Sequence, residues 1–219
     1  MAATTLYYFP LEGRGEQVRL ALAEAEIPYV VRCCKFICNW PARPLATMLM
    51  KWILNDRYQE GGGNLPALKE SGIATFGSLP ILVHEGKKYA QGCNIAVFVA
   101  SKGGFAGDTD EEKADVPQFV LAAEDARGPI WSTVFGKTTK EEFLVANDRW
   151  FSSFERHITG KEYFVLDKFT IADLAIYEIV NTSVKKLEAP IDTYPNLKAH
   201  WERIGSRPKI AAYEAAKKA

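Results

Sequence analysis

A chain of 219 residues, 47% hydrophobic and 25% charged, has ordinary globular composition and room for one large domain or two small ones. Its 27 basic and 27 acidic side chains cancel, which excludes an overall electrostatic footprint for nucleic acid or an anionic membrane. The longest apolar run, residues 45–54, is broken by Lys51 and is too short to span a bilayer; no basic stretch followed by an apolar run opens the chain, so the sequence predicts a cytoplasmic protein without a signal peptide.

Residues 4–9, rich in Thr, Tyr, Leu and Phe, read as a strand that stops at Pro10. After a turn through Gly13, residues 14–25 read as a helix whose apolar face is Val18, Leu20, Ala21, Leu22 and Ala25. Residues 29–36 form a second strand, and a helical connector between two strands makes the pair parallel. Cys33, Cys34 and Cys38 cluster near its end, but no His is close and the spacing is not a zinc pattern, so no metal is expected. Two of them behave as small strand hydrophobes, with their redox chemistry left open.

Residues 41–63 are an excursion, with an apolar helix at 45–54 and a triplet, Gly61, Gly62 and Gly63, that ends it or forms a flexible loop. Residues 79–83 and 87–90 are short strands around Glu85 and Gly86, a hairpin signal, and residues 91–102 form a helix packed back on the sheet. This half reads βαβ, excursion, ββα, which is the thioredoxin-like order. Gly103, Gly104 and Gly107 mark a linker, and the remainder reads as helices at 111–128, 139–158, 171–186, 195–206 and 208–217. Phe143, Asn147, Trp150, Phe154 and Ile158 give the helical spacing of the second of these, and Pro195 and Pro208 sit where a first turn tolerates proline. The predicted architecture is α+β with two domains: residues 1–103 thioredoxin-like, with an insertion at about 41–66, and residues 108–219 all-α.

Tyr8 ends the first strand, and ligands of such sheets bind beyond the carboxyl ends of strands. A phenol there can donate to a developing anion, and Arg14 with the helix N-terminus adds positive charge, so a thiol of pKa about 8.5 would ionise near neutrality. Taken alone, Tyr8 as a core strand aromatic is the stronger reading. Pro80, after Ser78 and Leu79, marks a tight and sometimes cis turn that would leave the Leu79 backbone free to pair with a peptide-like ligand, or it is a plain strand-entry proline. Gln91 and Gly92 open a helix whose free N–H groups suit a carboxylate, or Gln91 simply caps it. Thr170 and Asp173 spell a capping box, structural in either reading.

In order and spacing these residues resemble the cytosolic glutathione transferases. The matching stretches are LYYFPLEGRGEQVRLALAEAEIPY, ALKESGIATFGSLPILVHEGKKYAQGCNIAVFVASK, VLDKFTIADLAIYEIV and YPNLKAHWERIGSRPKIAAYEAAKK, nearly the whole chain apart from the excursion. The details look most like the tyrosine-using alpha, mu, pi and sigma group, nearest pi and sigma. The resemblance implies a detoxification enzyme that holds glutathione, as co-substrate and without a further cofactor, as a thiolate and conjugates it to small apolar electrophiles. Tyr8 would hydrogen-bond the thiolate and Arg14 assist. Trp40 and Lys69 would contact the glycyl end, with Lys51 a rival for Lys69. Leu79, before cis Pro80, would pair with the cysteinyl backbone, and Gln91 and the Gly92 N–H would bind the γ-glutamyl end. Asp125 of a partner subunit would reach the γ-glutamyl amine in a homodimer, and the electrophile would lie over Tyr8.

Two departures stand out. The family carries Ser where this chain has Gly92, which removes one hydrogen bond to a charged group, worth roughly 1.5–3 kcal/mol or about one to two orders of magnitude in affinity. The insertion reads as a surface addition rather than a pocket wall. A non-catalytic ligand-binding or structural protein on the same fold is the alternative function; Gly92 favours it, and Tyr8, Arg14, Gln91 and Asp125 speak against it. A thiol–disulfide oxidoreductase would need a cysteine where Gly13, Arg14 and Gly15 stand.

Overall fold

The computed structural model describes residues 4–33, 58–59, 65–165 and 167–218. Trp40, Lys51, Cys34, Cys38 and the expected helix at 45–54 lie outside the described residues. Contacts divide the chain into two compact units, one of Met1–Val99 with Ala212–Ala219 and the other of Ala100–Ala211. The sequence put residues 108–219 together; the structure groups the last turns of the final helix with the first unit.

In the first unit β1 (Thr4–Tyr8) leads into α1 (Gly13–Glu24) and β2 (Tyr29–Cys33), and β1 and β2 pair in parallel with Tyr8 opposite Cys33. A two-residue strand, β3 (Tyr58–Gln59), adds to β2 in parallel, and a short helix, α2 (Leu65–Glu70), follows; the sequence anticipated neither. Each is too short to show a periodicity of its own. The hairpin β4 (Ile81–His84) and β5 (Lys87–Ala90) turns at Glu85 and Gly86, both at positive φ (50° and 79°), the mirror-image turn that matches strand twist. β4 runs antiparallel to β1, giving the strand order β3-β2-β1-β4-β5, and α3 (Gly92–Gly103) follows.

The core of this unit is Leu6, Val18, Ala21, Leu22, Val31, Ile81, Leu82, Ile95 and Ala96. The expected apolar face of α1 is there, but the helix is buried on nearly every side. Glu16, Gln17 and Arg19 are as enclosed as the leucines. A pattern of one apolar face could not show this, because Glu16 is met by Tyr213 and Lys217 and Arg19 by the Phe9 and Leu11 carbonyls, groups that lie outside the helix.

The second unit holds α4 (Asp110–Val134), α5 (Lys140–Ile158), α6 (Ile171–Leu187), a 3-10 turn (Ile191–Thr193), α7 (Pro195–Gly205) and α8 (Pro208–Lys218), whose last part returns to the first unit. α4 runs six residues beyond the expected Gly128, through Pro129. The hydroxyl of Thr133 donates to the Pro129 carbonyl at 3.0 Å within this stretch. On α5 the enclosed aromatic is Phe151 rather than Trp150, alongside Phe143, Asn147, Phe154 and Ile158. α6 is buried all round from Ile171 to Ser183 and packs along α4, where Arg127 bridges Glu124 (2.8 Å) and Glu178 (2.6 Å).

The capping box of α6 forms as its spacing predicts. Asp173 Oδ2 accepts from the Thr170 N–H at 2.8 Å, and the Thr170 hydroxyl accepts from the Ala172 N–H at 3.3 Å. Asp173 Oδ1 also accepts from the Phe164 N–H (2.9 Å) and lies 3.0 Å from His200 Nε2. One fully buried carboxylate thus ties the α6 N-terminus to the preceding loop and to α7.

Candidate active site

Strand register brings three of the predicted residues to one end of the sheet. Tyr7 pairs with Ile81, and Ile81 pairs with Ala90. The next residue of each strand in the same direction is Tyr8, Pro80 and Gln91. The carboxyl end of β1, the entry to β4 and the start of α3 are therefore side by side, where a sheet of this kind binds ligands.

Tyr8 is 5% exposed, on the same face of β1 as Thr4 and Leu6. Its ring lies flat against the first turn of α1: a Cβ built on Gly15 would fall 2.3 Å from Tyr8 Cδ1. Glycine at 15 is what lets the helix come this close. One turn further along α1, the Arg19 guanidinium stands over the same ring, 5.4 Å from its centroid. The same guanidinium donates to the Phe9 carbonyl (3.2 Å) and the Leu11 carbonyl (3.0 Å), clamping the turn that follows Tyr8. Arg14, the second residue of α1, is exposed at the helix N-terminus, where its charge adds to the partial positive charge of the helix.

The Leu79–Pro80 peptide bond is cis, and Leu79 is 9% exposed. Lys69, exposed in the last turn of α2, lays its side chain over Gly77, with Cε 2.8 Å from where a Cβ at 77 would be, so it lies beside the turn that carries Leu79. Gln91 is exposed at φ +69°, and its carbonyl accepts from the Ile95 N–H at 2.9 Å, so it ends the strand and starts the helix. Gly92, the first residue of α3, is buried. The space its missing side chain would take is filled: a Cβ there would sit 3.0 Å from the Arg14 carbonyl oxygen and 3.0 Å from Gln17 Nε2. Gln17 is fully buried, its Nε2 lies 3.7 Å from Cys93 Sγ, and its Oε1 has no hydrogen-bond partner among the described residues.

Asp125 belongs to the other unit and is exposed on α4. Among the described residues no group of three His, Cys, Asp or Glu side chains could hold a metal ion, and no helix is long and apolar enough to cross a membrane.

Sequence reasoning missed Glu16, Gln17, Arg19, Tyr213 and Lys217. Glu16 Oε2 pairs with Arg19 at 2.9 Å, while Oε1 accepts from Lys217 Nζ at 2.6 Å and from the Tyr213 hydroxyl at 3.0 Å. Burial pushes the Glu16 carboxyl up, but Lys217 and then Arg19 outweigh it and bring its pKa down to about 2. Burial alone would push Lys217 down; Glu16, Glu12 and Glu214 raise it instead. The only sequence signal was the presence of three polar residues between Gly15 and Leu20 of a helix that connects two core strands.

A family profile described as the C-terminal domain of glutathione S-transferase matches residues 124–217. A probable glutathione S-transferase 5 of Caenorhabditis elegans is 34% identical over 158 residues, 66% of this chain and 75% of that protein. Glutathione S-transferase P 1 of Xenopus laevis is 26% identical over 97% of this chain and 92% of its own length. Among solved structures, a major nematode-specific glutathione S-transferase of Caenorhabditis elegans superposes with a TM-score of 0.75 at 28% identity, covering 98% of this chain and 97% of its own. Na-GST-3, a hookworm enzyme from Necator americanus described as monomeric, gives a TM-score of 0.73 at 25% identity over 98% and 97% of the two chains.

Fold and site together define an α+β protein with a thioredoxin-like unit and an all-helical unit. The chain belongs to the glutathione S-transferase family.

Proposed function

We propose that the protein activates glutathione as its thiolate at Tyr8 and transfers it to small apolar electrophiles. The observation that carries this is the meeting of Tyr8, the cis Leu79–Pro80 turn and the α3 N-terminus at one end of the sheet. The Tyr8 hydroxyl donates a hydrogen bond to the sulfur, and Arg14 adds positive charge; both stabilise the thiolate more than the thiol. The thiolate then attacks carbon, a C–S bond forms as the bond to the leaving group breaks, and the thiol proton passes to solvent. Nothing in this step calls for a metal or a prosthetic group.

The Leu79 backbone pairs with the cysteinyl residue as an added strand would. Gln91 and the Gly92 N–H receive the γ-glutamyl carboxylate, and Lys69 with Trp40 the glycyl end. Asp125 serves the γ-glutamyl amine of a partner subunit's ligand in a homodimer. Phe76, 68% exposed in the turn before Leu79, supports an assembly that covers it. A reduced thiol co-substrate fits a cytoplasmic, detoxifying role.

Calorimetric titration of glutathione in two buffers of different ionisation enthalpy tests the reading. Binding with release of a proton near pH 7 is expected, followed by conjugation of an activated aryl halide. No binding at millimolar glutathione would sink it and promote the ligand-carrier alternative.

A further inference from the structure

Tyr8 is held by two residues of α1, Gly15 and Arg19, and Arg19 leads to the far end of the chain. Gly15 backs its ring and Arg19 covers it, while Arg19 also grips the Phe9 and Leu11 carbonyls of the turn that leaves Tyr8. Arg19 can do all of this only in one orientation. The guanidinium pairs with the Glu16 carboxylate at 2.9 Å, and Glu16 is in turn held by two groups of α8, the Lys217 ammonium at 2.6 Å and the Tyr213 hydroxyl at 3.0 Å. Lys217 further pairs with Glu12 at 3.0 Å, the residue just before α1, and with Glu214 at 3.3 Å. All of these residues lie in the same compact unit.

We propose that Lys217 and Tyr213 are positioning residues for Tyr8, acting through Glu16 and Arg19, so that the thiolate site is completed by the last helix of the chain. This rests on the reading of Tyr8 as the thiolate-stabilising residue.

The charges show why. The groups that face one another here are Glu12, Glu16 and Arg19 from α1 and the residue before it, and Tyr213, Glu214 and Lys217 from α8. With both cations present, three carboxylates face two positive charges in a nearly closed space, where Coulomb interactions are strong. Without Lys217 the Glu16 carboxylate keeps only Arg19 as a charged partner, and the excess negative charge draws the guanidinium away from the carbonyls and the Tyr8 ring. The phenol then shifts, and small displacements of a catalytic group are costly to rate. The added negative charge also opposes formation of a thiolate nearby.

The test compares Lys217→Met, Lys217→Arg, Tyr213→Phe and Tyr8→Phe in the full chain, following conjugation of an activated aryl halide across pH. Lys217→Met is expected to lower kcat about tenfold, to move the acid limb of the kcat/KM profile up by about one pH unit, and to leave KM for glutathione within about twofold, because no glutathione contact is removed. Lys217→Arg is expected to restore the profile, and Tyr213→Phe, which deletes one hydroxyl, to shift it the same way by less. If Lys217→Met does not fold, Tyr213→Phe and Lys217→Arg carry the test. A profile unmoved in every folded variant, in an enzyme that Tyr8→Phe disables, overturns the proposal alone. A wild-type protein without conjugating activity overturns the reading of Tyr8 beneath it.

Discussion

In the proposed glutathione site, Gly92 replaces the serine that the resemblance places against the γ-glutamyl carboxylate, and the surroundings of Gly92 give a serine there two opposed effects. The backbone at 92 has no positive φ, so a side chain is conformationally allowed. Its Cβ would nevertheless meet the Arg14 carbonyl oxygen and Gln17 Nε2, each at 3.0 Å. The carbonyl belongs to the backbone of α1 and cannot withdraw; the Gln17 amide can, but it is fully buried. Overpacking of this kind costs about 1–3 kcal/mol. The crowding is present with and without ligand, so it falls on stability rather than affinity. The hydroxyl falls on affinity, where a bond to a charged group contributes about 1.5–3 kcal/mol. Gly92→Ser is therefore expected to melt about 2–10 °C lower yet bind glutathione about 10–100-fold more tightly. Adding Gln17→Ala opens the space, and because Gln17 Oε1 has no partner among the described residues, little hydrogen bonding is lost. The double variant is expected to regain part of the melting temperature and keep the affinity. Differential scanning fluorimetry and calorimetry read the two effects separately. A Gly92→Ser protein that melts like the wild type and binds no more tightly would refute both halves of the reasoning.

Tyr8→Phe is expected to lower kcat/KM about 10²–10³-fold, as loss of one anion-stabilising donor does, with the far-ultraviolet circular dichroism unchanged. The Glu16 pKa, lowered from 4.5 to about 2 in the fold, means that its contribution to stability is complete above pH 4.5 and is lost as pH falls toward 2. That contribution is on the order of 3 kcal/mol, and Glu16→Gln is expected to flatten the acid limb of an unfolding curve between those values. Asp173→Ala strands the Thr170 and Phe164 N–H groups and His200 Nε2 together. It is expected to cost about 3–5 kcal/mol in chemical denaturation while leaving KM for glutathione unchanged in the folded fraction.

Much of the fold is written locally. The Glu85 and Gly86 hairpin, the Thr139 and Thr170 caps and the βαβ order follow from short-range chemistry, because turn residues, cap hydroxyls and hydrophobic period act over a few positions. The first-unit residues Tyr8, Leu79, Pro80, Gln91 and Gly92 could be nominated the same way, each lying at the end of an element or just beyond it. Where local reasoning erred, a longer-range influence prevailed. α4 continues through Pro129, which a breaker rule would stop, and Phe151 rather than Trp150 fills the inner side of α5.

The sequence by itself therefore determined most of the longer elements and their order and nominated Tyr8, Pro80 and Gln91 as site residues, since those depend on neighbours along the chain, but not the short β3 and α2. Only the tertiary structure decided that Tyr8, Pro80 and Gln91 share one end of the sheet, that Gln17 occupies the space beside Gly92, and that Lys217 answers Glu16 from about two hundred residues away. A buried charge is tolerable only beside its partner, and nothing in the spacing of a sequence says which distant residue that partner will be.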